Sequence, residues 1–146
     1  MNNSVKFSTS ILPQKIKIYK STRDDFNDII IKHKIYSFNT DILCQTFLED
    51  EITLFMYIND NKENKICHYL LTKICISDQR VYNIIDIHED VPGLDHIGII
   101  NMLSKLFLEK KIPILYLNTF GHNIILVSEE YIQEVTLILN KISNFN

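Results

Sequence analysis

Tryptophan is missing from this chain, and glycine, proline and cysteine each occur only three times in 146 residues. The aromatic residues are therefore Phe and Tyr alone, and they do not interleave with basic residues as a base-stacking platform would. No Lys/Arg run is dense enough for a nucleic-acid surface, and the net charge of −3 with a pI near 5.9 points the same way. No apolar run approaches the length that crosses a bilayer. The opening MNNSVKFSTS is polar and lacks the apolar stretch of a signal peptide. Cys44, Cys67 and Cys75 are odd in number and fit no metal-knuckle spacing, so reduced thiols and a cytoplasmic setting are expected.

What is present is ordinary for a folded chain: 46% hydrophobic and 23% charged residues, enough for one domain or two small modules sharing a core. Residues 1–10 read as a flexible lead-in. The alternation of Lys15, Ile16, Lys17, Ile18 and Tyr19 predicts a strand with one solvated face. Ser21 and Thr22 offer N-cap hydroxyls, Asp24 and Asp25 suit the first turn, and Phe26 and Ile29 keep helical spacing. Turn chemistry and short extended pieces follow over 35–47. The acidic turn at Glu49, Asp50 and Glu51 precedes a strand over 52–58 that reads as buried on both faces. Residues 59–64 read as a loop, 66–76 fit either a helix or a strand with helix favoured, and 80–87 read as a strand.

The stretch 98–127 carries the most information. Ile99, Ile100, Leu103, Leu106 and Phe107 form one face of a helix, with Asn101, Lys105, Glu109 and Lys110 on the other. A buried strand is expected over 112–117, a polar turn over 118–123 and a return strand over 124–127. Ser128 reads as the N-cap of a last helix with an apolar stripe from Tyr131 to Ile142.

That order is strand, helix, strand, strand, helix, and a four-stranded sheet would still lack its last strand. The lone N-terminal strand is the candidate to supply it. The pattern implies an α+β fold of two intertwined modules with segregated helices rather than a doubly wound parallel sheet. The expected division is 11–79 for the first module, with 15–19 completing the second, and 80–146 for the second.

The motifs IGII (97–100), IPILYLNTF (112–120) and IILVSEE (124–130) resemble the second module of tandem ACT-domain proteins. The subfamily is that of the cytosolic arginine sensors (CASTOR proteins) and their short prokaryotic relatives. The resemblance implies two ferredoxin-like βαββαβ modules, antiparallel sheets with helices on one face. It also implies a small amino-acid ligand at a module or dimer interface, a protein partner and a homodimer. Carried over residue by residue, the implied ligand contacts are Ile97, Gly98, Ile112, Pro113, Ile114, Asn118, Thr119, Phe120, Gly121, His122 and Asn123. The chemistry agrees: a glycine-led helix start offers free N–H groups to a carboxylate. The chain departs from the family pattern where His122 and Asn123 replace Thr-Asp. Asn123 carries no charge to meet a guanidinium, which disfavours arginine.

Asp86, His88, Glu89, Asp90 and His96 meet no metal-ligand template, and no metal or cofactor is expected. Thr119 with His122 has neither an acid orienter nor a glycine-rich nucleophile turn, so no catalytic residue is assigned. The rival reading is a ligand-independent interaction module whose pocket has degenerated, mimicking or blocking a related sensor.

Overall fold

The computed structural model describes residues 7–33, 42–89, 98–119 and 121–142. Among the described residues seven strands and four α-helices follow one another as β1 (Phe7–Thr22), α1 (Arg23–His33), β2 (Ile42–Leu48), β3 (Glu51–Ile58), α2 (Lys62–Ile74) and β4 (Ile76–Ser77). Then come β5 (Tyr82–Glu89), α3 (Ile99–Glu109), β6 (Leu115–Asn118), β7 (Asn123–Ser128) and α4 (Ile132–Ile142). They form two compact units, Gln14–Val81 and the described residues on either side of it. The expected ligand contacts Ile97 and Phe120, and Asp90 and His96, lie outside the described residues.

In the unit Gln14–Val81 the strands run in the order β2-β3-β1-β4, every pair antiparallel. Tyr19 faces Leu54 on one side and Ser77 on the other. Tyr19, Ile52, Leu54 and Met56 pack against Phe26 and Ile29 of α1 and Cys67 and Leu71 of α2. Burying each of these large side chains contributes about 1.5–3 kcal/mol. Thr22 Oγ1 accepts the Asp25 N–H at 3.1 Å, the cap foreseen for α1. The solvated face expected for β1 is only half-exposed, since Lys15 and Lys17 are partly covered. The expected loop over 59–64 is shorter than its composition suggested. Asn61 caps α2, and buried Asn64 donates from Nδ2 to the Tyr57 carbonyl at 3.0 Å. Polar residues that look like loop are here the first turn of a helix.

The second unit has the order β1-β5-β7-β6, with β5-β7 and β7-β6 antiparallel. Its core joins Ile85 and Ile87 of β5, Leu103 and Phe107 of α3, Ile125 and Val127 of β7, and Val135 and Leu139 of α4. The missing fourth strand is supplied by the N-terminal strand, but by its first residues. Phe7 is in this core, with Ile11 packed against it, whereas Lys15 to Tyr19 pair with β3 in the other unit. Residues 7–10, expected in a flexible lead-in, are therefore strand. Each unit thus has the chain order strand, helix, strand, strand, helix, strand, the second closing on the chain's own beginning.

Two further differences concern the C-terminal half. The strand expected over 112–117 begins only at Leu115 and is an edge strand, with Leu115 and Tyr116 exposed. Ser128 stands at the expected N-cap position, with Glu129 and Glu130 in the first turn, but its side chain makes no cap hydrogen bond. Its hydroxyl donates to Glu130 Oε1 at 3.2 Å, and a 3-10 turn over Glu129–Tyr131 leads into α4.

Candidate functional site

Gly98 stands at the start of α3 with φ 104° and ψ −9°, a left-handed conformation that side-chain-bearing residues avoid. A Cβ there would meet nothing within 4 Å, so backbone conformation rather than crowding selects glycine. The helix has no side-chain cap and no acidic residue in its first turn. By contrast, α1 carries Asp24 and Asp25 and the turn before α4 carries Glu129 and Glu130. The positive end of the α3 dipole is thus left uncompensated within the described residues.

The β6–β7 hairpin closes with Asn118 opposite Asn123. Thr119 and His122 fasten its turn. The Thr119 N–H donates to the His122 carbonyl at 2.9 Å, and the His122 N–H donates to Thr119 Oγ1 at 3.1 Å. Asn118, Thr119, Gly121 and His122 are exposed. Asn123 is half-buried, and its Oδ1 accepts the Tyr116 hydroxyl at 2.6 Å.

Ile112, Pro113 and Ile114 lie elsewhere along α3. The Ile112 N–H donates to the Phe107 carbonyl at 2.9 Å, which fixes it at the C-terminal end of the helix. Gly98 marks the opposite end, about 16 Å away along an eleven-residue helix axis. Ile112 is buried in the core, Pro113 is exposed and Ile114 packs against the core from the side. The residues implied by resemblance therefore fall into a helix-start group, a hairpin group and a helix-end group. The third is separated from Gly98 by the length of α3.

A feature the sequence did not reveal lies in the unit Gln14–Val81. A cleft of about 440 Å³ is lined by Lys20, Ser21, Thr22 and Asp25 where β1 runs into α1, by Leu48, Glu49, Asp50 and Glu51 at the β2–β3 turn, and by Ile76. Register assembles it: Thr22 pairs with Glu51, Leu48 with Glu51 and Lys20 with Ile76. The acidic turn was legible as a turn, but nothing local told which strand end it would face.

The same unit holds a part-buried polar set. The Tyr19 hydroxyl is hydrogen-bonded to His68 Nδ1, and His68 Nε2 contacts the Tyr57 carbonyl at 3.0 Å. A carbonyl can only accept, so Nε2 carries the proton and Nδ1 accepts from the tyrosine. Burial, and to a lesser degree Cys75, push the Tyr19 hydroxyl up to about 12. Burial likewise raises the Cys75 thiol, the Ser21 hydroxyl opposing it and Asp25 adding to it. Cys67 packs in the core next to Leu71. Among the described residues no three His, Cys, Asp or Glu side chains come together to hold a metal. Asp86 and His88 share a strand face and contact at 3.2 Å.

Residues 79–141 match the family model of the ACT domain. The fold is ACT-like. The ACT-like likeness to solved structures extends over nearly the whole chain. A protein from Agrobacterium tumefaciens aligns with a TM-score of 0.64 at 13% identity, covering 97% of this chain and 91% of that one. A protein of unknown function from Vibrio cholerae, described as a possible transport protein, aligns at 0.60 and 12% identity over 92% and 88%. The ligand-free regulatory subunit of aspartate kinase from Thermus thermophilus aligns at 0.59 and 9% identity over 95% and 98%. No curated protein matches the sequence. At such identities the ACT-like architecture is what is shared. Among the described residues no helix is long and apolar enough to cross a membrane.

Proposed function

We propose that this chain is a non-catalytic regulatory protein that binds a small amino acid or related metabolite and passes its bound state to a protein partner. The observation that carries the reading is the start of α3. Gly98 leaves an uncapped helix end with open space beside it and no carboxylate in the first turn, a place for a ligand carboxylate. Asn118, Thr119 and His122 present exposed polar groups on the hairpin of the same unit. The full-length likeness to an aspartate kinase regulatory subunit supports a regulatory role for an ACT-like pair of units. Edge strand β6, with Leu115 and Tyr116 exposed, supports a homodimer formed through the second unit. Ligand binding would then stabilise one arrangement of the dimer by its differential affinity.

Calorimetry and thermal-shift measurements against the amino acids test the reading. Stabilisation by an amino acid that is lost in Gly98→Val supports it, and a folded protein indifferent to every amino acid sinks it.

A second reading rests on the hairpin itself. Thr119, His122 and Asn123 spend hydrogen bonds within the turn, which fits a ligand-independent interaction module with a degenerate pocket. Partner capture unaffected by added amino acids or by Asn123→Asp distinguishes it from the first.

A further inference from the structure

The two helices of the unit Gln14–Val81 touch each other, and each turns one face to the sheet. Phe26 and Ile29 define the inward face of α1, and Cys67, Leu71 and buried Asn64 define that of α2. At about 100° per residue, the positions opposite are Asp24, Asp28 and Ile31 on α1 and Lys62, Ile66, Tyr69 and Lys73 on α2. All of them are exposed. Ile31 is 72% exposed, Ile66 49% and Tyr69 61%, three large apolar side chains on the outer side of one helix layer. Apolar surface gathered in this way and rimmed by charge marks an interaction face rather than a scatter of single residues.

The charge on this face is divided between the helices. The α1 stripe is acidic through Asp24 and Asp28, and the α2 stripe is basic through Lys62 and Lys73. Arg23, the cation at the start of α1, lies over the Phe47 ring at 4.8 Å and so points toward β2. Lys73 lies over the Tyr69 ring at 5.2 Å, which joins cation and apolar surface in one patch. This division selects the occupant. A second copy related by a two-fold axis can seat α1 on its α2 and α2 on its α1, so that acid meets base twice. Crossings of α1 on α1 or α2 on α2 set like charges against each other. The face is small, however. Helices of about 16 and 20 Å, set about 10 Å apart, present roughly 400 Å² on each side, half of what an interface of standard size buries. The association it supports is weak, with a dissociation constant on the order of tens of micromolar.

We infer that two copies of this chain associate through the helix layer of the Gln14–Val81 unit, α1 of each seated on α2 of the other. Ile31, Ile66 and Tyr69 form the apolar centre, and the aspartates and lysines of the two stripes fix the pairing. This face is separate from the β6 edge of the second unit, so the inference goes beyond the homodimer proposed above.

Sedimentation velocity on the full chain tests it, with Leu115→Lys present throughout to charge the β6 edge and prevent pairing there. A monomer–dimer equilibrium is expected between about 5 and 500 μM. Tyr69→Ala weakens it at least about tenfold, as for an aromatic side chain at the centre of an interface. Asp24→Lys with Asp28→Lys weakens it to a similar degree, as does Lys62→Glu with Lys73→Glu. Circular dichroism verifies that each variant is folded. All four reversals in one chain restore association, because acid again meets base. Raising the salt to about 0.5 M weakens the dimer several-fold. A chain that stays monomeric up to about 500 μM overturns the inference. So does association that survives Tyr69→Ala and both paired reversals, or that the folded chain with all four reversals fails to regain.

Discussion

Tyr116 donates its hydroxyl to Asn123 Oδ1 at 2.6 Å, diagonally across the β6–β7 pair in which Tyr116 faces Ile125 and Asn118 faces Asn123. The position where the family pattern places an aspartate is thus tied into the hairpin. Its side-chain oxygen is engaged by the tyrosine within the hairpin itself.

Asn123→Asp keeps this bond and makes it charge-assisted, so the hairpin is expected to hold at neutral pH or gain up to about 1 kcal/mol. Under the proposed amino-acid site, the added charge shifts selectivity toward cationic amino acids. Tyr116→Phe removes the bond and costs about 1 kcal/mol. Urea unfolding and a thermal-shift panel on both variants check these outcomes.

The two glycines among the described residues, Gly98 and Gly121, differ in what they require. Gly98→Ala forces a side chain into φ 104° and is expected to cost about 1–2 kcal/mol, although no atom obstructs it. Gly121→Ala meets open space without a left-handed backbone and is expected to stay within about 0.5 kcal/mol of the parent. Chemical denaturation of the pair separates conformational demand from crowding.

Alkaline pH acts through Tyr19. Its hydroxyl ionises near 10 in the unfolded chain and near 12 when folded. The folded state therefore holds a proton that the unfolded state releases. The stabilisation is complete below pH 10 and is lost as the pH rises through 12, by roughly 2–3 kcal/mol in all. Stability followed at pH values spanning this window should fall, and Tyr19→Phe should flatten the decline. At neutral pH that variant leaves His68 Nδ1 without its donor, at a cost of about 1–3 kcal/mol.

Phe7 tests whether the beginning of β1 belongs to the second unit's core. Phe7→Ala is expected to destabilise by about 3 kcal/mol, at the lower end for a buried aromatic because the site is near the rim of the cluster. The loss should appear in hydrogen exchange at Ile85 and Val127 rather than at Leu54.

The helices were legible because their period is long and repeated. Leu103 and Phe107, or Val135 and Leu139, announce the buried face four residues apart. The two-module order and the need for a donated strand followed from counting elements. What misled was apolar content without periodicity. The run from Ile112 to Leu117 reads as buried, yet its second half is the exposed edge β6, and only Pro113 hinted at an edge. The opposite error came at the N-terminus, where Ser8, Thr9 and Ser10 hide a period-two strand whose buried positions are Phe7 and Thr9. The α3 start was found because glycine at a helix start is a local signal. The cleft was not, because register between distant strands creates it, and register is not local.

Strand β1 has a consequence for how the molecule is made. Its first residues are synthesised before Gln14–Val81, yet the sheet they complete cannot form until β5 and β7 have been synthesised. The whole of Gln14–Val81 intervenes. The Gln14–Val81 unit can fold as soon as its own chain is complete, while the closing strand of its neighbour waits unpaired. A fragment beginning at Gln14 would leave the C-terminal sheet with an open edge. A fragment beginning at Tyr82 would be a three-stranded remnant prone to recruiting a strand from another chain.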